Sequence, residues 1–211
     1  MNNTKIEWCD YSWNPITGCL RKCPWCYAER LYHRFHRSFK PEFHPERVNE
    51  PLKIRKPAKI FTCSVADFFA IWTKEEWRQA VYKIMKRCPQ HVFLVLTQDP
   101  KNITENPDLP KNIWIGTTVR NQSEIERIDI LKKKTIPIKF VSFEPLLGNI
   151  ETDLFGIQWV IIGAMTGVLR NKYKVKEEWV DHLVHQAREK DVPVFIKDNL
   201  SWKETIKEFP L

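Results

Sequence analysis

Cys19, Cys23 and Cys26 place three thiols within eight residues, in the spacing Cys-x3-Cys-x2-Cys. Thiolates are soft ligands that suit zinc and iron–sulfur clusters, so this loop equips the chain for metal chemistry. Three thiolates on one loop can hold three irons of a four-iron, four-sulfur cube and leave the fourth iron without a protein ligand. An open iron can bind and reduce a small molecule. The competing reading is a structural zinc site completed by His33, His36 or His44. A zinc knuckle normally pairs Cys-x2-Cys with a second ligand pair, and no second Cys pair follows here. His33-x2-His36 lies so close that ligation and helix would compete for the same turns. Arg21 and Lys22, between the first two cysteines, should lower the thiol pKa values and favour thiolate ligation.

Such a loop needs a frame. Continuous β-branched and aromatic runs at 59–63, 91–96, 112–116, 138–141, 159–163 and 193–196 read as parallel strands buried on both faces, after a first strand that precedes the cysteines. Between them lie amphipathic stretches. Thr73-x-x-Glu76 reads as a capping box that opens a helix with Trp77, Ala80, Val81, Ile84 and Met85 inward. Ser123-x-x-Glu126 reads as another, and a third helix from about Lys176 turns Trp179, Leu183 and Ala187 inward. A first helix begins near Tyr27 and carries Leu31 and Phe35. Strand and helix alternating about six times predict an α/β fold, a partial (β/α)6-type TIM barrel with the cysteine loop after its first strand. A full eight-fold barrel usually needs about 250 residues. The Pro-punctuated, basic stretch at about 38–58 interrupts this rhythm and reads as a surface connection, either a substrate-contact segment or a plain solvated loop.

The strand ends are polar. Ser64 and Asp67 follow one strand, and Thr97, Gln98 and Asp99 the next. Thr117, Thr118, Arg120 and Asn121 follow Trp114; Ser142 and Glu144, then Thr166, then Lys197 and Asp198, follow the last three. Catalytic groups of β/α barrels gather at these ends, which predicts one shared pocket beside the cysteines. Asp99 before Pro100, and Ser123, read as ordinary helix caps.

The 211 residues suit one domain, 1–211, and 43% hydrophobic content excludes a disordered chain. With 34 Lys+Arg against 26 Asp+Glu the formal charge is +8, which favours polyanionic partners such as nucleic acid. The N-terminus has no apolar signal core and no run approaches a membrane span, so a cytoplasmic protein without a membrane partner is expected. Cys9, Cys63 and Cys88 are isolated and read as buried thiols, with a hydrogen-atom donor or auxiliary ligand as the alternative for Cys9 and Cys63. Trp72 and Trp202 read as packing residues, with stacking on a base as the alternative.

The cysteine spacing resembles that of radical S-adenosylmethionine (SAM) enzymes. The resemblance implies a [4Fe-4S] cluster on Cys19, Cys23 and Cys26. It implies SAM chelated to the open iron and cleaved reductively to a 5′-deoxyadenosyl radical that abstracts hydrogen from a substrate. An electron donor such as flavodoxin or ferredoxin is implied as partner. Trp25 stands where that family carries an aromatic residue near the adenine. Asp67 is the implied amino-group contact, although the family's Gly-Gly-Glu is replaced by Val65-Ala66-Asp67. Ser142 and Glu144 are expected at ribose or sulfonium and Lys197 at a carboxylate, with Ser64 and Thr117 completing the cofactor pocket. Blocks along nearly the whole chain resemble the phage Gp37/Gp68-type, three-Cys-motif family. They include Trp13-Asn14-Pro15-Ile16-Thr17-Gly18-Cys19, Ser64-Val65-Ala66-Asp67-Phe68-Phe69 and Ser142-Phe143-Glu144-Pro145. Members commonly read Gly-Gly-Glu-Ser-Gly where this chain has Gly163-Ala164-Met165-Thr166-Gly167, so a contact there differs. A nucleobase or nucleic acid is the favoured substrate. The alternatives are a zinc-binding, non-catalytic nucleic-acid module and a SAM-cluster subunit that needs a partner protein.

Overall fold

The structure, a computed structural model, describes residues 1–104, 109–200 and 202–210. The chain forms two compact units, Met1–Ile115 and Gly116–Leu211. In the first, β1 (Asn2–Asn3) pairs antiparallel with β2 (Tyr11–Trp13), and β3 (Ile16–Thr17) leads into the cysteine loop. Then come α1 (Tyr27–Arg34), β4 (Glu42–Phe43), α2 (Pro45–Val48), β5 (Lys59–Thr62), α3 (Glu75–Arg87) and β6 (Val92–Thr97). Strands β2, β5 and β6 pair in parallel, and β3 pairs antiparallel with β4. Trp13, Ile60, Phe93, Leu94 and Val95 are fully buried, each worth roughly 1.5–3 kcal/mol of hydrophobic stabilisation. The Trp13 indole N–H donates to the Arg47 carbonyl at 2.9 Å, so this core residue is satisfied from α2.

Strand β7 (Ile113–Thr118) carries the chain into the second unit. There α4 (Glu126–Lys132), β8 (Ile138–Phe143), β9 (Trp159–Ile162), α5 (Glu177–Arg188) and β10 (Val194–Ile196) follow. Strands β8, β9 and β10 pair in parallel. Trp159 is its buried centre, with Phe140 and Phe209 at 5.4 and 5.2 Å and its N–H donating to the Glu208 carbonyl at 2.8 Å. The main sheet runs β1-β2-β5-β6-β7-β8-β9-β10. It is the parallel α/β partial barrel that the alternating runs predict.

Local details differ. Neither capping box forms: the Thr73 hydroxyl donates to the Asp67 carbonyl at 2.9 Å, and Lys74 precedes α3 without a side-chain cap. Before α4 the Asn121 side chain accepts from Ser123 N and caps a short 3-10 turn, Gln122–Glu124, while Ile125 precedes α4 without a side-chain cap. Trp179 is only half-buried, under the Lys176 ammonium; Val180, Leu183, Gln186 and Ala187 form the inward face of α5. Tyr27, Leu31 and Phe35 point outward rather than into the core. The connection at 38–58 is more than a surface loop, since it contains β4 and α2 and braces the cysteine loop from outside.

Candidate functional site

The loop is fixed by its backbone before any metal is considered. Gly18 N donates to Val65 O at 3.1 Å, and Cys19 N to Phe39 O at 3.0 Å. Gly18 has φ +83°, and a Cβ there would lie 2.1 Å from the Lys40 carbonyl oxygen, so only glycine fits. Lys22 also takes a left-handed φ, 52°, at the turn before Cys23. Cys26 N donates to Cys23 O at 2.9 Å, and Cys26 Sγ accepts from Glu29 N at 3.3 Å as the N-cap of α1. All three thiols are half-buried and outside any disulfide.

Burial pushes the Cys19 thiol up to about 11, with a backbone hydrogen bond and the Arg21 charge opposing and Asp67 adding to the rise. Cys26 is raised by burial too, and Cys23 raises both neighbours. Arg21 lowers the Cys19 thiol as expected, but burial outweighs it, so the net shift is upward rather than downward. The Arg21 guanidinium is also engaged elsewhere. It pairs with Asp99, lies 3.4 Å from Asp67 and stacks over the Trp72 ring at 5.6 Å.

Asp67 is the hub of this network. Its Oδ1 accepts from Thr97 Oγ1 at 2.6 Å and Phe69 N at 3.2 Å; its Oδ2 accepts from Gln98 N at 2.9 Å and from Arg21. Burial raises its pKa against those donors. Gln98 Nε2 in turn reaches Cys23 Sγ at 3.9 Å, which links the end of β6 to the thiol loop. Asp99 pairs with Arg21 and makes no side-chain cap, contrary to its reading as one. Ser64 Oγ donates to Asn14 Oδ1 at 3.1 Å, and the Tyr27 hydroxyl donates to the Ser64 carbonyl at 2.7 Å. Trp25 is half-buried, and its carbonyl accepts from Arg30 at 3.0 Å.

Among the described residues, no three His, Cys, Asp or Glu side chains converge closely enough to hold one metal ion. Thiolates on one tetrahedral zinc must approach to about 3.8 Å, given a Zn–S distance near 2.3 Å. Those of a cube sit on different irons and need not. Of the candidate histidines, His44 contacts Thr17 Oγ1 at 2.9 Å and Glu46 at 3.2 Å, and His33 lies 3.8 Å from Glu29. A set of three half-buried thiols outside any disulfide fits an iron–sulfur cube in its donor chemistry.

In the second unit, Thr117 and Ser142 are buried within β7 and β8, which both extend further than expected. Glu144 and Lys197 form an ion pair. Gly163 lies against that pair; a Cβ there would meet Lys197 Cδ at 2.9 Å and Glu144 Cδ at 3.0 Å. Asn199 clamps Ala164 through two hydrogen bonds of 3.1 and 2.9 Å, and Met165 is buried.

The fold places the protein in a recognisable structural class. It matches spore photoproduct lyase complexed with dinucleoside spore photoproduct at TM-score 0.55 and 7% identity, covering 90% of this chain and 64% of that one. A tyrosine variant of the same lyase matches at TM-score 0.62 and 8% identity, over 92% and 78%. A further variant, with bound AdoMet and dinucleoside spore photoproduct, matches at TM-score 0.53 and 9% identity, over 92% and 57%. The chain therefore spans under two thirds of the length of the first of these. No curated protein matches the sequence. By sequence, residues 3–208 match the family described as a protein of unknown function (DUF5131), and the chain belongs to it.

Proposed function

We propose that the chain, as one domain over residues 1–211, is a radical SAM enzyme that abstracts hydrogen from a nucleobase or nucleic acid. The observation that carries this is the thiol loop: three free, half-buried cysteines pinned at the C-terminal end of a strand in a partial barrel. The likeness to a lyase fold solved with AdoMet supports the cofactor, and the +8 charge supports the substrate class. The colinear blocks that resemble the phage Gp37/Gp68-type family belong to the same reading.

Cys19, Cys23 and Cys26 would hold a [4Fe-4S] cluster. With SAM bound it supplies one-electron cleavage of a sulfonium, for which an electron donor such as flavodoxin or ferredoxin is the partner. The chain's own residues do the rest. Gln98 and Arg21 tie the loop to the strand ends through Asp67, whose oxygens serve that network rather than lying open. Trp25 offers an aromatic face for adenine and Ser64 a hydroxyl. Thr117, Ser142, Glu144 and Lys197 are assigned to the cofactor on the second unit's strands; there the Glu144–Lys197 pair offers a carboxylate and an ammonium already mutually neutralised.

Protein reconstituted without oxygen should carry about four irons per chain and, with dithionite, turn SAM into 5′-deoxyadenosine. Cys23→Ala should lose both properties. Wild-type turnover by that variant, or stoichiometric zinc without iron–sulfur absorption, overturns the reading.

A further inference from the structure

The outward face of α1 ties into the thiol loop through Arg30, which donates to the Trp25 carbonyl, and reaches Ser64 O through the Tyr27 hydroxyl, yet its exposed groups are unlike those of an ordinary solvated helix. Tyr27, Leu31 and Phe35 are 51, 44 and 60% exposed. The adjoining side of the helix is packed: Ala28 is buried and the Tyr32 ring meets Phe39 at 4.9 Å. At about 3.6 residues per turn, Arg30 and Arg34 fall on the same outward face as Tyr27 and Leu31, with Phe35 at its end. A contiguous patch of large exposed apolar groups marks a binding surface in a folded chain.

Charge identifies the occupant. Between residues 27 and 40 the chain carries Arg30, Arg34, Arg37 and Lys40 against Glu29 alone, and Glu29 lies toward His33 at 3.8 Å. Arg30 and Arg34 form a stripe beside that of Tyr27, Leu31 and Phe35; the Arg30 guanidinium is held by the Trp25 carbonyl, so Arg34 and the following Arg37, both exposed, are the cations offered to a partner. Rings stack on bases without regard to sequence, and neighbouring cations neutralise phosphates. We propose that this face binds single-stranded nucleic acid, with Tyr27 and Phe35 stacking on bases and Arg34 and Arg37 facing phosphates. Cys26 caps the same helix, so a strand held there is delivered beside the thiol loop. The proposal names the surface for the nucleic-acid substrate proposed above, but the binding itself requires neither cluster nor SAM.

The test is fluorescence anisotropy of a labelled 12-mer of thymidylate with the full, cluster-free chain. Arg34→Ala should flatten the slope of log K against log salt by about 0.7. Phe35→Ala should weaken binding about tenfold, the low end of base–aromatic stacking. Arg55→Ala with Lys56→Ala, in the basic connection, should leave affinity within about twofold, and circular dichroism confirms that each variant is folded. Wild-type binding by both α1 variants overturns the proposal. So does a dimer that Phe35→Ala dissociates, which would make a second copy the occupant. Slowed reduction by an acidic flavoprotein with oligonucleotide binding intact would make the occupant a protein. SAM cleavage with dithionite, measured separately, should be unchanged in both α1 variants. Cleavage without oligonucleotide binding sinks the surface alone; binding without cleavage sinks the enzyme reading alone.

Discussion

Asp67 accepts from four donors, so its neighbours depend on it as much as it depends on them. Replacing it with asparagine would turn one acceptor oxygen into a donor facing other donors. We expect Asp67→Asn to lose about 2–4 kcal/mol of unfolding free energy in urea, with iron uptake falling alongside. A variant as stable as the parent would remove Asp67 from the centre of this network. The cysteines make a second prediction. With its thiol raised to about 11, Cys19 of the cluster-free protein should alkylate slowly at pH 8 and gain about tenfold per pH unit until near that value. Mass-spectrometric mapping of alkylation reads this directly, and a plateau near neutrality would contradict it. Sequence spacing identified the thiols because ligand spacing is local. It missed the partners of Arg21, because Asp67 and Asp99 lie 46 and 78 residues away. The Asp99-Pro100 dipeptide offered a local explanation, a cap, that the tertiary pair overrode.

The elements themselves were legible. Each of the six apolar runs forms a strand, since burial on both faces leaves little but continuous hydrophobicity as a pattern. Helix starts were not, because a cap is decided by which donor is nearest in space: Thr73 serves Asp67, and Asn121 caps the short turn that holds Ser123. The start of α4 carries a pH prediction. Glu124 binds Arg120 and Arg127, and although burial would raise its pKa, the Arg120 hydrogen bond and charge hold it below the usual 4.5. A depressed folded pKa means stability that is present above the unfolded value and lost as pH falls through the folded one. Glu124→Gln should therefore be less stable than the parent at pH 7 and converge toward it below about pH 4 in thermal melts. Parallel curves would show that the pair contributes nothing. The strap at 38–58 was misread for a simpler reason: proline and charge mark irregular backbone, not what that backbone touches. Gly18→Ala tests the contact, since a methyl group 2.1 Å from the Lys40 carbonyl oxygen forces the strap away. We expect a loss of at least about 3 kcal/mol or failure to fold.

At the scale of the molecule, topology followed from the order of strands and helices, because parallel strands require crossovers and crossovers have one hand. Substrate did not follow, since a fold hosts many chemistries. A ligand that binds only the folded state raises its stability by mass action. Anaerobic loading with iron and sulfide should accordingly raise the melting temperature by several degrees, and Cys23→Ala should show no such rise. Among the described residues no helix is long and apolar enough to cross a membrane. The tether between Cys19 N and Phe39 O has one more consequence. That amide proton is shielded from solvent only while residues 38–41 stay seated. Its deuterium-exchange rate thus counts how often the strap lifts from the backbone of the first cysteine.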